Sequence, residues 1–195
     1  VDVTQSAGAI QIDSKEWNAD VIVASGYKWL GGHGGVAIAV LSKNMLEYKP
    51  HSVGWMDSAD AFQMNSKLLK FASGANRYTQ STISYVSVIG LITSINQILK
   101  IGISNISSHS NDLRKYLKKY FADSLWQLQS STKASEYSNH IVSIEYRGCN
   151  IGQIVTKLKA KRIICSSRNG NLRLSLAHYN NQEDIENFVN ILKKI

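Results

Sequence analysis

The sequence predicts an α/β protein: part of a layered, mostly parallel sheet followed by a small α+β unit. Three observations carry this. Two continuous apolar runs, DVIVAS (20–25) and GGVAIAVLS (34–42), read as strands of an internal, partly parallel sheet covered on both faces. Two helical stretches follow them. From about residue 125 the order becomes strand, helix, strand, strand, helix.

Taken in order, Val1 to Val3 reads as a strand end running into a turn. The opening VDVTQSAGA sounds like the end of a buried core strand, so the chain reads as the C-terminal part of a longer protein. Residues 43–80 are irregular, polar and aromatic, and a long loop of this kind in a compact domain is usually functional or interfacial. Ser81 or Thr82 is placed to N-cap a helix running to about Lys100, with Val86, Ile89 and Ile92 on its apolar side. Gly102 breaks it. A second helix over roughly 104–120 carries Ile106, Leu113, Leu117 and Phe121 on one side. HIVSIEY, RIICSS and NLRLSLA read as strands, the last two joined by the Asn169-Gly170 hairpin turn. CNIGQIVTKLKAK reads as a short helix, and NQEDIENFVNILKKI as an amphipathic one, acidic first and basic last as the helix dipole favours.

Composition narrows the function classes. The apolar fraction of 44% and charged fraction of 18% belong to a folded chain, not a disordered one. The two cysteines, Cys149 and Cys165, have no metal-ligand or CxxC spacing, which fits a reducing compartment and a cytoplasmic protein without metal. YVSVIGLITSINQILKIG is interrupted by Ser, Thr, Asn and Gln and reads as a core helix, not a membrane span. The net charge of +8 comes from lysines scattered over helix faces, a pattern of solvated surface and not of a nucleic-acid site. It also suits a phosphate or carboxylate ligand.

The chemistry concentrates at SGYKWLGGHGG (25–35), where Lys28 stands just past a strand end. Open α/β sheets bind ligands outside the carboxyl ends of their strands. A lone lysine there reads as solvated, but Asp2 and Gln5 end the preceding strand, and Ser25 and Tyr27 flank Lys28. Read alone, the alternative for Asp2 is a strand-end helix cap, and that for Gln5 a solvent-facing helix residue. The glycines lack GxxxxGK[ST] spacing, so a nucleotide loop is rejected; they let the backbone turn tightly behind the lysine. Trp55 reads as core packing; His33 and His178 carry no assigned role.

VDVTQSAG, SGYKWLGGHGG, ANRYTQST (75–82) and SSRNGNLRLSLAHYN (166–180) together resemble the class V aminotransferase family of fold-type I pyridoxal-phosphate enzymes. That family includes cysteine desulfurases and isopenicillin N epimerase-like enzymes. The resemblance implies that residues 1–122 belong to the cofactor-binding large domain and 123–195 to a small C-terminal domain. It implies pyridoxal 5'-phosphate as cofactor, held by Lys28 as a Schiff base, with Asp2 facing the pyridine nitrogen and Gln5 the ring hydroxyl. Ser25 and Tyr27 would bind phosphate, and Thr82 the phosphate of a neighbouring subunit in a homodimer. Arg173, with Arg168 as a second contact, would grip the carboxylate of an amino-acid substrate, since a planar guanidinium makes two parallel bonds to a carboxylate. Nucleic acid and membrane are not expected partners.

Two departures from the family pattern shape the expected activity. No cysteine lies between Arg168 and Arg173, and Cys165 falls in an apolar run that favours a buried, inert thiol. This argues against a cysteine desulfurase and for transamination, elimination, racemisation or C–S cleavage. The family's N-terminal phosphate loop and ring-stacking residue lie outside these residues, which leaves an incomplete fragment or a split subunit with a partner chain as the alternative reading.

Overall fold

The computed structural model of the chain describes residues 1–65, 67–122, 124–129, 138–146 and 148–195. Its first strand, β1 (Val21–Ser25), has Ile22 and Ala24 buried. It pairs antiparallel with β2 (Ala37–Leu41), Ser25 opposite Ala37 and Val21 opposite Leu41. On its other side Asp2 bridges Val23 in parallel, with Val3 N–H donating to Val23 O at 2.8 Å and Val23 N–H to Val1 O at 2.9 Å. Of the mostly parallel sheet expected, the described residues hold this one parallel bridge and one antiparallel pair. The stretch after β2 is irregular, with three short 3₁₀ turns. It is nevertheless anchored. Tyr78 Oη donates to Met45 O at 2.5 Å, and Gln80 Nε2 to Ser52 O at 3.2 Å. The fully buried Asp57 accepts from Gly54 N–H at 2.7 Å.

Helix α1 (Tyr85–Ile101) departs from the sequence reading in two ways. It begins at Tyr85 and takes its first-turn hydroxyl from Ser84, which accepts from Ser87 N–H, so neither Ser81 nor Thr82 is the cap. Its buried side is Ser87, Leu91 and Ile98, whereas Val86 (75% exposed), Ile89 and Ile92 face outward. The helix lies close against the glycine-rich backbone that follows Lys28, with Ser87, Leu91 and Ser94 on the side that meets it. Leu91 joins Val3, Ile22, Ala24 and Leu30 in the core of this part of the chain.

The chain divides into two compact units, Val1–Ile101 and Gly102–Ile195. In the second, α2 (Ile103–Tyr120) buries Ile106, Leu113 and Leu117, the face read from its spacing, and Phe121 beyond it. A four-stranded antiparallel sheet runs in the order β3 (Gln127–Leu128), β4 (Ile141–Glu145), β6 (Asn171–Ser175), β5 (Ser166–Arg168). Its core-facing residues Val142, Ile144, Leu172 and Leu174 pack with α3 (Ile151–Ala160) and α4 (Gln182–Leu192) through Leu158, Phe188 and Val189. The order strand, helix, strand, strand, helix is therefore present as β4-α3-β5-β6-α4, with α2 contributing to its core.

Local signals explain the element ends. Asn150 accepts from Gln153 N–H and caps α3. Asn181 and Asp184 form a reciprocal capping box on α4. Asn169 and Gly170 both have positive φ, 50° and 78°, as a tight two-residue hairpin turn requires. Two readings are corrected. RIICSS is not a buried strand: β5 is confined to Ser166–Arg168 at the sheet edge, and Ile164 is 90% exposed. Trp55 is not core; it is partly exposed and packs edge-on against Phe62, ring centroids 5.8 Å apart. Among the described residues no single helix is long and apolar enough to cross a membrane.

These placements separate two substitutions. Leu158→Ala, at a fully buried site, should lower unfolding free energy by about 2–5 kcal/mol in urea denaturation. Ile164→Ala should change it by no more than about 0.5 kcal/mol.

Candidate functional site

The parallel bridge between Asp2 and Val23 sets two chain ends side by side, and both then turn at the same sheet edge. Three further ties hold the turns together. Ser25 N–H donates to Thr4 Oγ1 at 3.0 Å. Trp29 Nε1–H donates to Gln5 Oε1 at 3.2 Å. Gly8, at φ +92°, lies so close to Trp29 that a Cβ there would come 2.4 Å from its carbonyl oxygen. Asp2, Gln5, Ser25 and Lys28 thus belong to one cluster, as their sequence positions suggested.

Its acidic member is held in the charged form. The Thr4 hydroxyl and then the Thr4 N–H, the latter at 2.8 Å, hold the Asp2 carboxyl below its ordinary value of 3.8; Lys28 and the chain's amino group add smaller attraction. Asp2 is an exposed, ionised acceptor beside the half-buried Lys28. Lys28 Nζ lies 5.8 Å from the Tyr27 ring centroid, and Tyr27 itself is exposed. Thr82 is exposed on the run into α1.

Behind Lys28 the loop closes on itself: Gly31 N–H donates to Lys28 O and Gly32 N–H to Gly26 O, both at 2.8 Å. Helix α1 then clasps it. Ser94 Oγ donates to Leu30 O at 2.5 Å and Ser87 Oγ to Gly34 O at 3.0 Å. Gly32 leaves no space for a side chain, since its Cβ would meet Leu91 Cα at 3.0 Å. His33 packs over Gly90 of α1, where a Cβ would fall 2.4 Å from its ring. The sequence reading missed Thr4, Ser87 and Ser94. Thr4 is signalled by its place between Asp2 and Gln5; the serines leave no local signal, because their partners are 53 and 64 residues away.

In the second unit, Arg173 is half-buried and pairs across the sheet with Ser143 on one side and Ser166 on the other. Arg168 is exposed and pairs with Asn171. Strand alternation puts Arg168 and Arg173 on one face, opposite the core residues Leu172 and Leu174. Two α2 side chains fix the segment beyond β6. Ser110 Oγ donates to Leu176 O at 3.2 Å, and His109 Nε2 donates to Asn180 O at 2.8 Å. His178 is exposed beside Tyr179. Cys165 is half-buried, and burial pushes its thiol pKa up, away from nucleophilic thiolate character.

The family model for class-V aminotransferases matches residues 1–188. The chain is 27% identical to the uncharacterized aminotransferase YcbU of Bacillus subtilis over 97% of its length and 49% of that protein. It is 30% identical to a probable cysteine desulfurase of Borreliella burgdorferi, over all of this chain and 50% of the relative. Identity is also 30% with a kynureninase of Bacillus mycoides, over all of this chain and 46% of that enzyme. Apo cysteine desulfurase from Thermococcus onnurineus superposes with a TM-score of 0.87 at 22% identity, over all of this chain and 51% of that one. A variant of C-DES with glycine covalently linked to its PLP cofactor gives 0.83 at 21% identity, over 96% and 49%. The chain spans about half the length of these proteins, and its fold is that of fold-type I pyridoxal-phosphate enzymes. The match across residues 1–188 and the shared fold place the chain in the class-V aminotransferase family.

Proposed function

We propose that these residues form part of a pyridoxal-phosphate enzyme that acts on an amino acid or related amine through Lys28. The observation that carries this reading is the cluster of Lys28 with an Asp2 carboxylate held ionised by Thr4. The donor set fits the cofactor: an amine for the aldehyde, a carboxylate for the pyridine N–H, an amide for the ring oxygen and hydroxyls for phosphate. When bound, the cofactor supplies an electron sink for negative charge at the substrate α-carbon.

Each side chain has a task in that reading. Lys28 would hold the cofactor by its amine and would take and return the proton at the substrate α-carbon. Asp2 keeps the ring nitrogen protonated. Ser25 and Tyr27 bind phosphate, and Thr82 serves the phosphate of the second subunit of a homodimer. Arg173 binds the substrate carboxylate by charged hydrogen bonds contributing about 1.5–3 kcal/mol each, with Arg168 beside it on the same face. The half-buried Cys165 thiol supports chemistry without a persulfide-forming cysteine: transamination, elimination, racemisation or C–S cleavage. We place the protein in the cytoplasm, on its two unpaired cysteines.

A second reading rests on exposed apolar side chains of the first unit. Val23 and Val40 of the sheet and Tyr85, Val86, Ile89 and Leu99 of α1 stand in solvent. In that reading the residues work only with further polypeptide seated on them, either a partner chain or more of the same one.

Visible absorbance with added pyridoxal phosphate, then borohydride reduction and peptide mapping, tests the first reading. A long-wavelength band with the fixed label on Lys28 is expected; Lys28→Ala should lose both, and a band retained by that variant removes Lys28 from its role. Arg173→Ala should raise KM for amino acids about 10- to 100-fold while a decarboxylated amine is little affected. An unchanged KM rules out the carboxylate contact. Because the folded pKa of Asp2 is depressed, its charge and any stability it confers persist above the unfolded value of 3.8 and are lost as pH falls through the lower folded value. Cofactor affinity should therefore show no Asp2 titration between about pH 5 and 9, whereas Asp2→Asn should weaken it throughout that range.

A further inference from the structure

Gln5 carries a side chain with two unlike ends. Its Oε1 only accepts and its Nε2 only donates. The indole N–H of Trp29 only donates, so the 3.2 Å bond between the two side chains settles the amide's orientation by chemistry: Oε1 turns to the indole. Nε2 is then the end directed away from Trp29. The indole is well placed to impose this. Trp29 follows Lys28 directly, and its carbonyl is packed against Gly8. It is partly buried and followed by the buried Leu30. One side chain thus joins the lysine turn to the turn that carries Asp2 and Gln5.

We propose that Trp29 is a positioning residue that fixes the Gln5 amide as a hydrogen-bond donor toward the ring oxygen of the cofactor. The inference rests on the reading of Lys28 as the cofactor lysine and adds the control of that oxygen's charge. A donor at the oxygen stabilises its deprotonated form, so protons leave the lysine-bound cofactor at lower pH. A flipped amide would set Oε1 against the oxygen and do the reverse. In this role Trp29 acts through Gln5.

The test is a spectral pH titration of the visible band of the full-length protein loaded with pyridoxal phosphate. Trp29→Phe keeps the apolar ring and removes the N–H. It should raise the midpoint by about one pH unit, the size expected for losing a hydrogen bond to a charged group. Gln5→Ala should raise it similarly, and the double variant should match Gln5→Ala alone, because the two act in series. Additive shifts, or a Trp29→Phe titration that superposes on the wild type, overturn the inference while leaving the Lys28 reading intact. A wild-type protein with no band overturns the Lys28 reading and this inference with it. Should Trp29→Phe fail to fold, the indole N–H resonance of the cofactor-free protein decides: Gln5→Ala should shift it and speed its exchange, and an unmoved resonance overturns the proposal.

Discussion

The parallel pairing of Val1–Val3 with β1 is the constraint on which the first unit depends. It joins strand residues some twenty positions apart in sequence and makes both chains leave the sheet at the same edge. Asp2, in the bridge itself, and Lys28, three residues past the end of β1, are brought to the same edge by it. The Thr4 hydroxyl reinforces the arrangement by accepting from the last residue of β1. A carboxylate and an amine are thereby held by backbone hydrogen bonds, which are less easily displaced than a surface ion pair between two long side chains.

Helix α1 does not bury its most apolar stripe. The side that faces the glycine loop packs Leu91 on the backbone, and its two serine hydroxyls donate to the Gly34 and Leu30 carbonyls. The loop after Lys28 is held by its neighbour as well as by its own turns.

How much of this was legible follows the range of the interactions. Strands β1, β4 and β6, helices α2, α3 and α4, and the Asn169-Gly170 turn rest on alternation, helical spacing and local caps, all of which sequence displays. Asp2, Gln5, Ser25 and Lys28 were legible as a group because each sits at a strand end. The outward face of α1 was not, because apolar periodicity reports a stripe without saying what occupies the other side. RIICSS misled for a related reason: a short β-branched run reads as buried, yet at a sheet edge most of it has nothing to cover it. Thr4, Ser87 and Ser94 are ordinary polar residues whose partners only the folded chain brings near.

The hairpin between β5 and β6 has a consequence for evolution of the chain. Its turn is two residues long, and the register it sets pairs Ser166 with Arg173 and Arg168 with Asn171. Both guanidinium-bearing residues therefore point away from the core. Because successive residues in a strand alternate sides, inserting or deleting a single residue at the turn would swing Arg168 toward the core side while Arg173, held by β4, stayed in place. The two arginines stand five residues apart, and a change of that spacing by one, unless a bulge absorbs it, would leave them on opposite faces.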